Sequence, residues 1–296
     1  MKEVKFIDRQ TGETVIETVP GGGMMHFFYS QNVFGKFLLW AFIKRRLLSV
    51  MVGWFMMSSI SVRSVKSFIK KNKIDLKDYQ VPKGYYKHFN SFFYRKLKPG
   101  ARVIGEGVIS PADGKVLVFP TIAAAQSFYV KGQQFDLNKF FLDKKLAAEY
   151  DGGALAIVRL APTDYHRFHF PIDGYVGETI KYEGDYYSVS PIALKQNMRI
   201  FCENKREFVS VDSDKYGSVV LAEIGATLTG SIVQSHWPNI DVIKGQEKGF
   251  FAFGGSTVIV LFKKGKIRFS SDLIKNTKNG FETAVKMGET IGGPLN

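Results

Sequence analysis

With one cysteine, Cys202, in 296 residues, the chain has no internal disulfide framework and no cysteine-cluster metal site. That lone thiol fits a reducing compartment and reads most simply as a small core residue. Pro-rich and low-complexity tracts are absent, and charged residues make up only 23% of the chain, so composition does not point to disorder. No Gly-rich phosphate loop opens a helix after a strand, and no fixed-period repeat is present. No charge-free apolar run reaches the roughly 20 residues that a membrane-spanning helix requires. What the chain does have is core material: 45% of residues are hydrophobic and 14% aromatic, enough for one large domain or a core with an accessory region.

The formal net charge of +14 is unevenly placed. Residues 36–100 hold fifteen Lys/Arg against only Asp75 and Asp78, and the rest of the chain is nearly neutral. Such a surface meets anions, either nucleic acid or acidic lipid headgroups. The neighbouring residues favour lipid over nucleic acid. Lys44-Arg45-Arg46 divides a dense apolar block into a seven-residue run, Phe37 to Ile43, and a sixteen-residue run, Leu47 to Val62. An interfacial helix with its apolar side in the acyl region fits this pattern, and a helix buried in the core is the competing reading. A secretory signal is not expected, because the block begins late and no cleavage-like site follows it.

Residues 1–23 read as a short strand pair, Val4-Lys5-Phe6-Ile7 and Thr14-Val15-Ile16, followed by a hinge at Pro20-Gly21-Gly22-Gly23. Residues 24–80 read as predominantly helical, with a basic helix near Val62 to Lys71. From about residue 102, short β-branched runs separated by Gly, Pro and Asp take over, among them Lys115-Val116-Leu117-Val118, Leu155 to Leu160, Val219 to Ala222 and Thr257 to Lys263. One helix is expected near Leu137 to Tyr150. The fold class is therefore α+β: a β-rich, mostly antiparallel catalytic core over 101–296 and an N-terminal region, 1–100, with basic, apolar, membrane-associating helices.

Three segments carry residues suited to chemistry. Gly254-Gly255-Ser256-Thr257 sits between two hydrophobic runs, where glycine lets another group approach a carbonyl closely; taken alone it also fits a tight turn in a buried hairpin. Asp164-Tyr165-His166-Arg167-Phe168-His169 holds two of the five histidines, the side chain best matched to proton transfer near neutral pH. No third ligand suggests a metal there. Ser110-Pro111-Ala112-Asp113-Gly114-Lys115 offers an acid that either shapes a turn or orients an imidazole. A Ser, a His and an Asp in separate segments also describe a hydrolase, but Ser256 lacks the Gly-x-Ser-x-Gly elbow.

In this order, Ser-Pro-Ala-Asp-Gly, Asp-Tyr-His-Arg-Phe-His and Gly-Gly-Ser-Thr resemble the signatures of the phosphatidylserine decarboxylases. Phe89 to Gly100, Gly225 to Ile232 and Lys244 to Phe251 resemble the same family, so the resemblance extends over roughly residues 85–295. It implies self-cleavage between Gly255 and Ser256 by a triad of Asp113, His169 and Ser256, in which Asp113 orients the His169 ring. The products would be a β chain, 1–255, and an α chain, 256–296, whose Ser256 becomes a covalent pyruvoyl cofactor and the site of a Schiff base with substrate. His166 would donate the proton that completes decarboxylation to phosphatidylethanolamine. The resemblance also implies phosphatidylserine in an anionic membrane as the partner, and a homodimer. A diacyl substrate and the basic, apolar leader imply a peripheral membrane protein; the leader's lack of an Arg/Ser-rich transit segment favours a bacterium, so the expected location is the cytoplasmic face of a bacterial inner membrane. A soluble-substrate pyruvoyl decarboxylase, a lipid-binding protein that never matures and a serine hydrolase are the competing functions.

Overall fold

The computed structural model describes residues 4–17, 23, 27, 46–129, 135–194, 199–227, 231–254 and 256–295; the expected hinge at 20–23 except Gly23, most of 24–45 and Gly255 lie outside them. An N-terminal hairpin is formed by β1 (Val4–Asp8) and β2 (Thr14–Glu17). After a helical leader come β3 (Val108–Ile109), β4 (Gly114–Phe119), β5 (Ala154–Leu160), β6 (Arg167–His169), β7 (Gly174–Val176) and β8 (Ile180–Tyr182). Next are β9 (Arg206–Ser213), β10 (Gly217–Gly225), β11 (Ile232–Gln234), β12 (Ile240–Val242) and β13 (Glu247–Phe251). The C-terminal segment adds β14 (Ser256–Phe262), β15 (Ile267–Phe269), β16 (Glu282–Val285) and β17 (Thr290–Pro294).

Eleven strands join one sheet in the order β12-β7-β9-β10-β14-β5-β4-β16-β1-β2, with β8 also paired to β9. Two three-stranded sheets, β11-β13-β6 and β15-β17-β3, accompany it. The pairing is antiparallel throughout except between β1 and β16, which run parallel. The expected β-rich, mostly antiparallel core is thus observed. Every residue of β4, β5 and β14 is buried, because alternate side chains of these strands enter two different cores. On one face Val158, Val258, Val260 and Leu221 pack with Phe168 and Phe251 of the β11-β13-β6 sheet. On the other, Ile157, Ile259 and Leu261 pack with Phe140, Phe141 and Tyr150 of a helical layer. The helix expected near Leu137 to Tyr150 is two, α4 (Leu137–Phe141) and α5 (Lys144–Glu149), following three leader helices described next. Leu142 adopts a left-handed backbone (φ 52°) and the Asp143 side chain accepts from the amides of Lys145 and Leu146, starting a new helix where one was expected to continue.

The leader comprises α1 (Arg46–Met57), a 3₁₀ turn (Ser59–Val62), α2 (Arg63–Asn72) and, after an irregular stretch, α3 (Phe89–Phe93). Met51, Trp54, Phe55, Met57 and Ile60 are exposed, so α1 and the 3₁₀ turn do not form a core-buried helix. Among the described residues no helix is long and apolar enough to cross a membrane. The leader does not include the N-terminal hairpin: β1 and β2 extend the large sheet through β16, a long-range parallel pairing with no local sequence signature.

That hairpin is fastened by charge. The buried Arg159 guanidinium on β5 donates to both carboxylate oxygens of Glu282 at 2.9 and 2.6 Å, and to both of Glu17 at 3.2 and 2.7 Å. Arg159→Met would leave two carboxylates without their counter-ion. It is expected to cost about 3–5 kcal/mol, read as a lower urea-unfolding midpoint than wild type.

Candidate active site

Ser256 is the first residue of β14 and stands between Gly225 of β10 and Leu160 of β5. Its side chain is fully buried, and among the described residues its Oγ has no hydrogen-bond partner. An unpaired hydroxyl in the interior forgoes stabilisation that most buried polar groups obtain, and such groups recur where chemistry needs them. The chain enters this position from β13 with each amide held differently. Phe251 N–H donates to the His166 carbonyl at 2.9 Å, Ala252 N–H to the Ser231 carbonyl at 3.0 Å and Phe253 N–H to Asn90 Oδ1 at 2.7 Å. Gly254 then turns with φ 139°, a conformation that side chains disfavour.

The histidine segment comes to the same place from two directions. It follows β5 directly, and its strand β6 pairs with β13. His166 is fully buried; its Nδ1 lies 2.9 Å from the Asp164 carbonyl and its ring stacks on Phe93 at a centroid separation of 3.8 Å. Phe93 also touches Phe253 at 5.2 Å, so one aromatic ring links the junction segment to His166. A carbonyl only accepts, so Nδ1 carries the proton and Nε2 presents a bare lone pair, again with no partner among the described residues.

The loop before β4 is drawn in by the His169 amide, which donates to the Pro111 carbonyl at 2.8 Å. Where the loop enters β4, Gly114 lies close against β5: a Cβ there would sit 2.6 Å from the Arg159 carbonyl. Thus the three sequence segments do converge, but the side chains do not form a continuous Asp–His–Ser relay. His169 donates through Nδ1 to the Gly245 carbonyl at 2.9 Å, and its Nε2 accepts from the Tyr165 hydroxyl at 3.0 Å. Asp113 accepts from Arg102 at 3.0 Å and from the Met287 amide at 2.7 Å. Gly245 and Tyr165 thus hold the His169 ring, whereas the Asp113 carboxylate is turned to a guanidinium and a backbone amide. Tyr165, Asn90 and Phe93 all lie inside the motifs singled out in the sequence, but nothing local marks which of their neighbours they would meet. Among the described residues no group of three or more His, Cys, Asp or Glu is placed to hold a metal.

Burial dominates the electrostatics. It lowers the His166 imidazole to about 3, against a hydrogen bond to Asp164 that works the other way. It lowers His169 too, opposed by Gly245 and by the negative charges of Glu247 and Asp113. Both rings are therefore neutral in the resting site and able to accept a proton at Nε2. Burial also raises the Tyr165 phenol, which stays a donor.

Comparison with known proteins agrees with the motifs. The phosphatidylserine decarboxylase family profile matches residues 89–293. A phosphatidylserine decarboxylase proenzyme of Fusobacterium nucleatum is 47% identical, with 100% of this chain and 99% of that protein aligned. Proenzymes of the same name from Ruminiclostridium cellulolyticum and Chlamydia caviae are each 42% identical, covering 98% and 100% of this chain and 97% and 99% of their own lengths.

The neutral buried histidines have a consequence for stability. An unfolded histidine gains its proton near 6.5, whereas His166 in the fold gains one only near 3. Between those values the unfolded chain binds more protons, so stability is full above about pH 6.5 and falls as pH drops toward 3. His166→Phe keeps a ring against Phe93 and removes this proton uptake. The loss of stability from pH 7 to pH 5, followed by urea midpoints, is expected to shrink by about 1–2 kcal/mol in the variant.

Proposed function

Because this chain belongs to the phosphatidylserine decarboxylase family, we propose that it converts phosphatidylserine to phosphatidylethanolamine and CO₂ with a pyruvoyl group made from its own Ser256. The observation that carries this reading is the Ser256 hydroxyl: buried, unpartnered among the described residues and placed directly after the glycine pair. In self-cleavage, Oγ adds to the Gly255 carbonyl carbon and the C–N bond breaks, turning the amide into an ester. His169 takes the hydroxyl proton at Nε2, exchanging the Tyr165 hydroxyl for Ser256 Oγ, and returns a proton to the leaving nitrogen. Asp113 acts through its charge, which favours the imidazolium that forms. Elimination then frees the Gly255 carboxyl group, water adds to the resulting dehydroalanine and ammonia leaves, completing the pyruvoyl group on a 256–296 α chain. A precursor that yields two chains is consistent with relatives named as proenzymes.

The site fits such a group, because no described polar partner competes for the position of the Ser256 side chain or for His166 Nε2. When present, the group supplies an electrophilic carbonyl and an electron sink for decarboxylating an amino-acid headgroup. His166 Nε2 takes a proton that the incoming ammonium must lose and gives it to the carbon that CO₂ leaves, which reconciles a neutral resting ring with the role of proton donor. For delivery of a diacyl substrate, exposed Met51, Trp54, Phe55, Met57 and Ile60 supply apolar contact, and exposed Arg63, Lys66, Lys70, Lys71 and Lys73 meet anionic headgroups. This supports a peripheral protein, with the anionic cytoplasmic leaflet of a bacterial inner membrane as its surface.

Three variants test these assignments by gel analysis and CO₂ release. Ser256→Ala and His169→Ala are expected to remain single, inactive chains. His166→Ala is expected to be cut yet to turn over roughly 10²- to 10⁴-fold more slowly. Cleavage blocked in His166→Ala but intact in His169→Ala would overturn the division of labour.

A further inference from the structure

Self-cleavage demands that the Gly255 carbonyl carbon sit within reach of Ser256 Oγ, and the chain fixes the two sides of that bond by different means. Downstream, Ser256 is locked in register between β10 and β5. Upstream, three consecutive amides are anchored, and only Gly254 and Gly255 lie between the last anchor and Ser256. Two of those anchors, the carbonyls of His166 and Ser231, belong to the backbone. The third, Oδ1 of Asn90 at 2.7 Å from Phe253 N, is the one side chain among them.

We infer that Asn90 is a positioning residue for self-cleavage, fixing through Phe253 the peptide that presents the Gly255 carbonyl to Ser256. The inference rests on the self-cleavage reading above. Asn90 is only 1% exposed, so water does not replace its amide oxygen cheaply. The helix that carries it is built to hold it still. His88 caps α3 by accepting from Ser91 N–H at 3.0 Å, while the Ser91 hydroxyl receives the His88 amide at 3.2 Å. Phe89 N–H donates to Ser61 Oγ at 2.9 Å, joining α3 to the 3₁₀ turn. Phe89 and Phe93 meet the Phe253 ring edge-on at 5.3 and 5.2 Å, gripping the residue whose backbone Asn90 holds. Glycine restricts the backbone least of all residues, so loss of this anchor ahead of a glycine pair would let the attack geometry slip, a displacement that slows reactions far more than it destabilises folds.

The experiment follows self-cleavage in time during cell-free synthesis, resolving precursor from the 1–255 and 256–296 chains on gels. Asn90→Leu has a similar shape and no acceptor; Asn90→Asp keeps the acceptor. Asn90→Leu is expected to cut roughly 10- to 100-fold more slowly than wild type, with Asn90→Asp within a few-fold of it and both precursors melting cooperatively. If Asn90→Leu does not melt cooperatively, Asn90→Ala is read in its place by the same criterion. An acceptor-less variant that cuts at the wild-type rate, or Asn90→Asp as slow as Asn90→Leu, would overturn the inference. A wild-type chain that stays whole would instead overturn the self-cleavage reading and this inference with it.

Discussion

Strand β14 begins at Ser256 and runs through the middle of the large sheet, paired along its whole length with β10 on one side and β5 on the other. Nearly everything else about the molecule follows from that placement. A chain break before Ser256 would separate 41 residues, 256–296, from the rest, yet those residues supply a central strand. They also supply β16, paired with β4 and β1, and β17, paired with β3. The two products of cleavage would share one core and could not part without unfolding it. The first residue of the second chain would stay at the place where the ladder fixes it.

The same burial that holds Ser256 sets the chemistry around it. His166 and His169 are kept neutral by desolvation, and a neutral imidazole in a dry site is a base awaiting a proton. Each is aimed by a backbone carbonyl, Asp164 or Gly245, that fixes which nitrogen is bare. Asp113 stands one step back, held by Arg102 and contributing charge instead of contact. The leader then has two duties. Its outer face offers apolar and basic side chains, and its last helix, α3, packs Phe93 on His166 and Phe89 on the segment entering the junction.

How much of this could be read from the sequence depends on whether the cause was local. The strands at Lys115 to Val118, Leu155 to Leu160 and Thr257 to Lys263 were legible because β-branched runs bounded by Gly, Pro and Asp carry their own signal. The Ser256, His166, His169 and Asp113 segments were legible as motifs, and the fold does bring them together. What stayed hidden was pairing. Nothing in Val4 to Asp8 announces a parallel partner at Glu282 to Ala284, nor does Arg159 declare that it will answer Glu17 and Glu282 at once. The contacts of His169 were hidden for a similar reason. An Asp in a separate motif looked like its natural orienter, whereas Arg102 claimed that acid and Tyr165, four residues before the histidine, took the ring.

The central claim, that Ser256 becomes a covalent carbonyl cofactor by self-cleavage, is tested most directly by the intact mass of the purified protein under denaturing conditions. The account predicts two chains, 1–255 and 256–296. The smaller should be lighter by one ammonia than a Ser-terminated peptide and should react with a hydrazide at its N-terminus. A single full-length chain from a preparation that decarboxylates phosphatidylserine would contradict it.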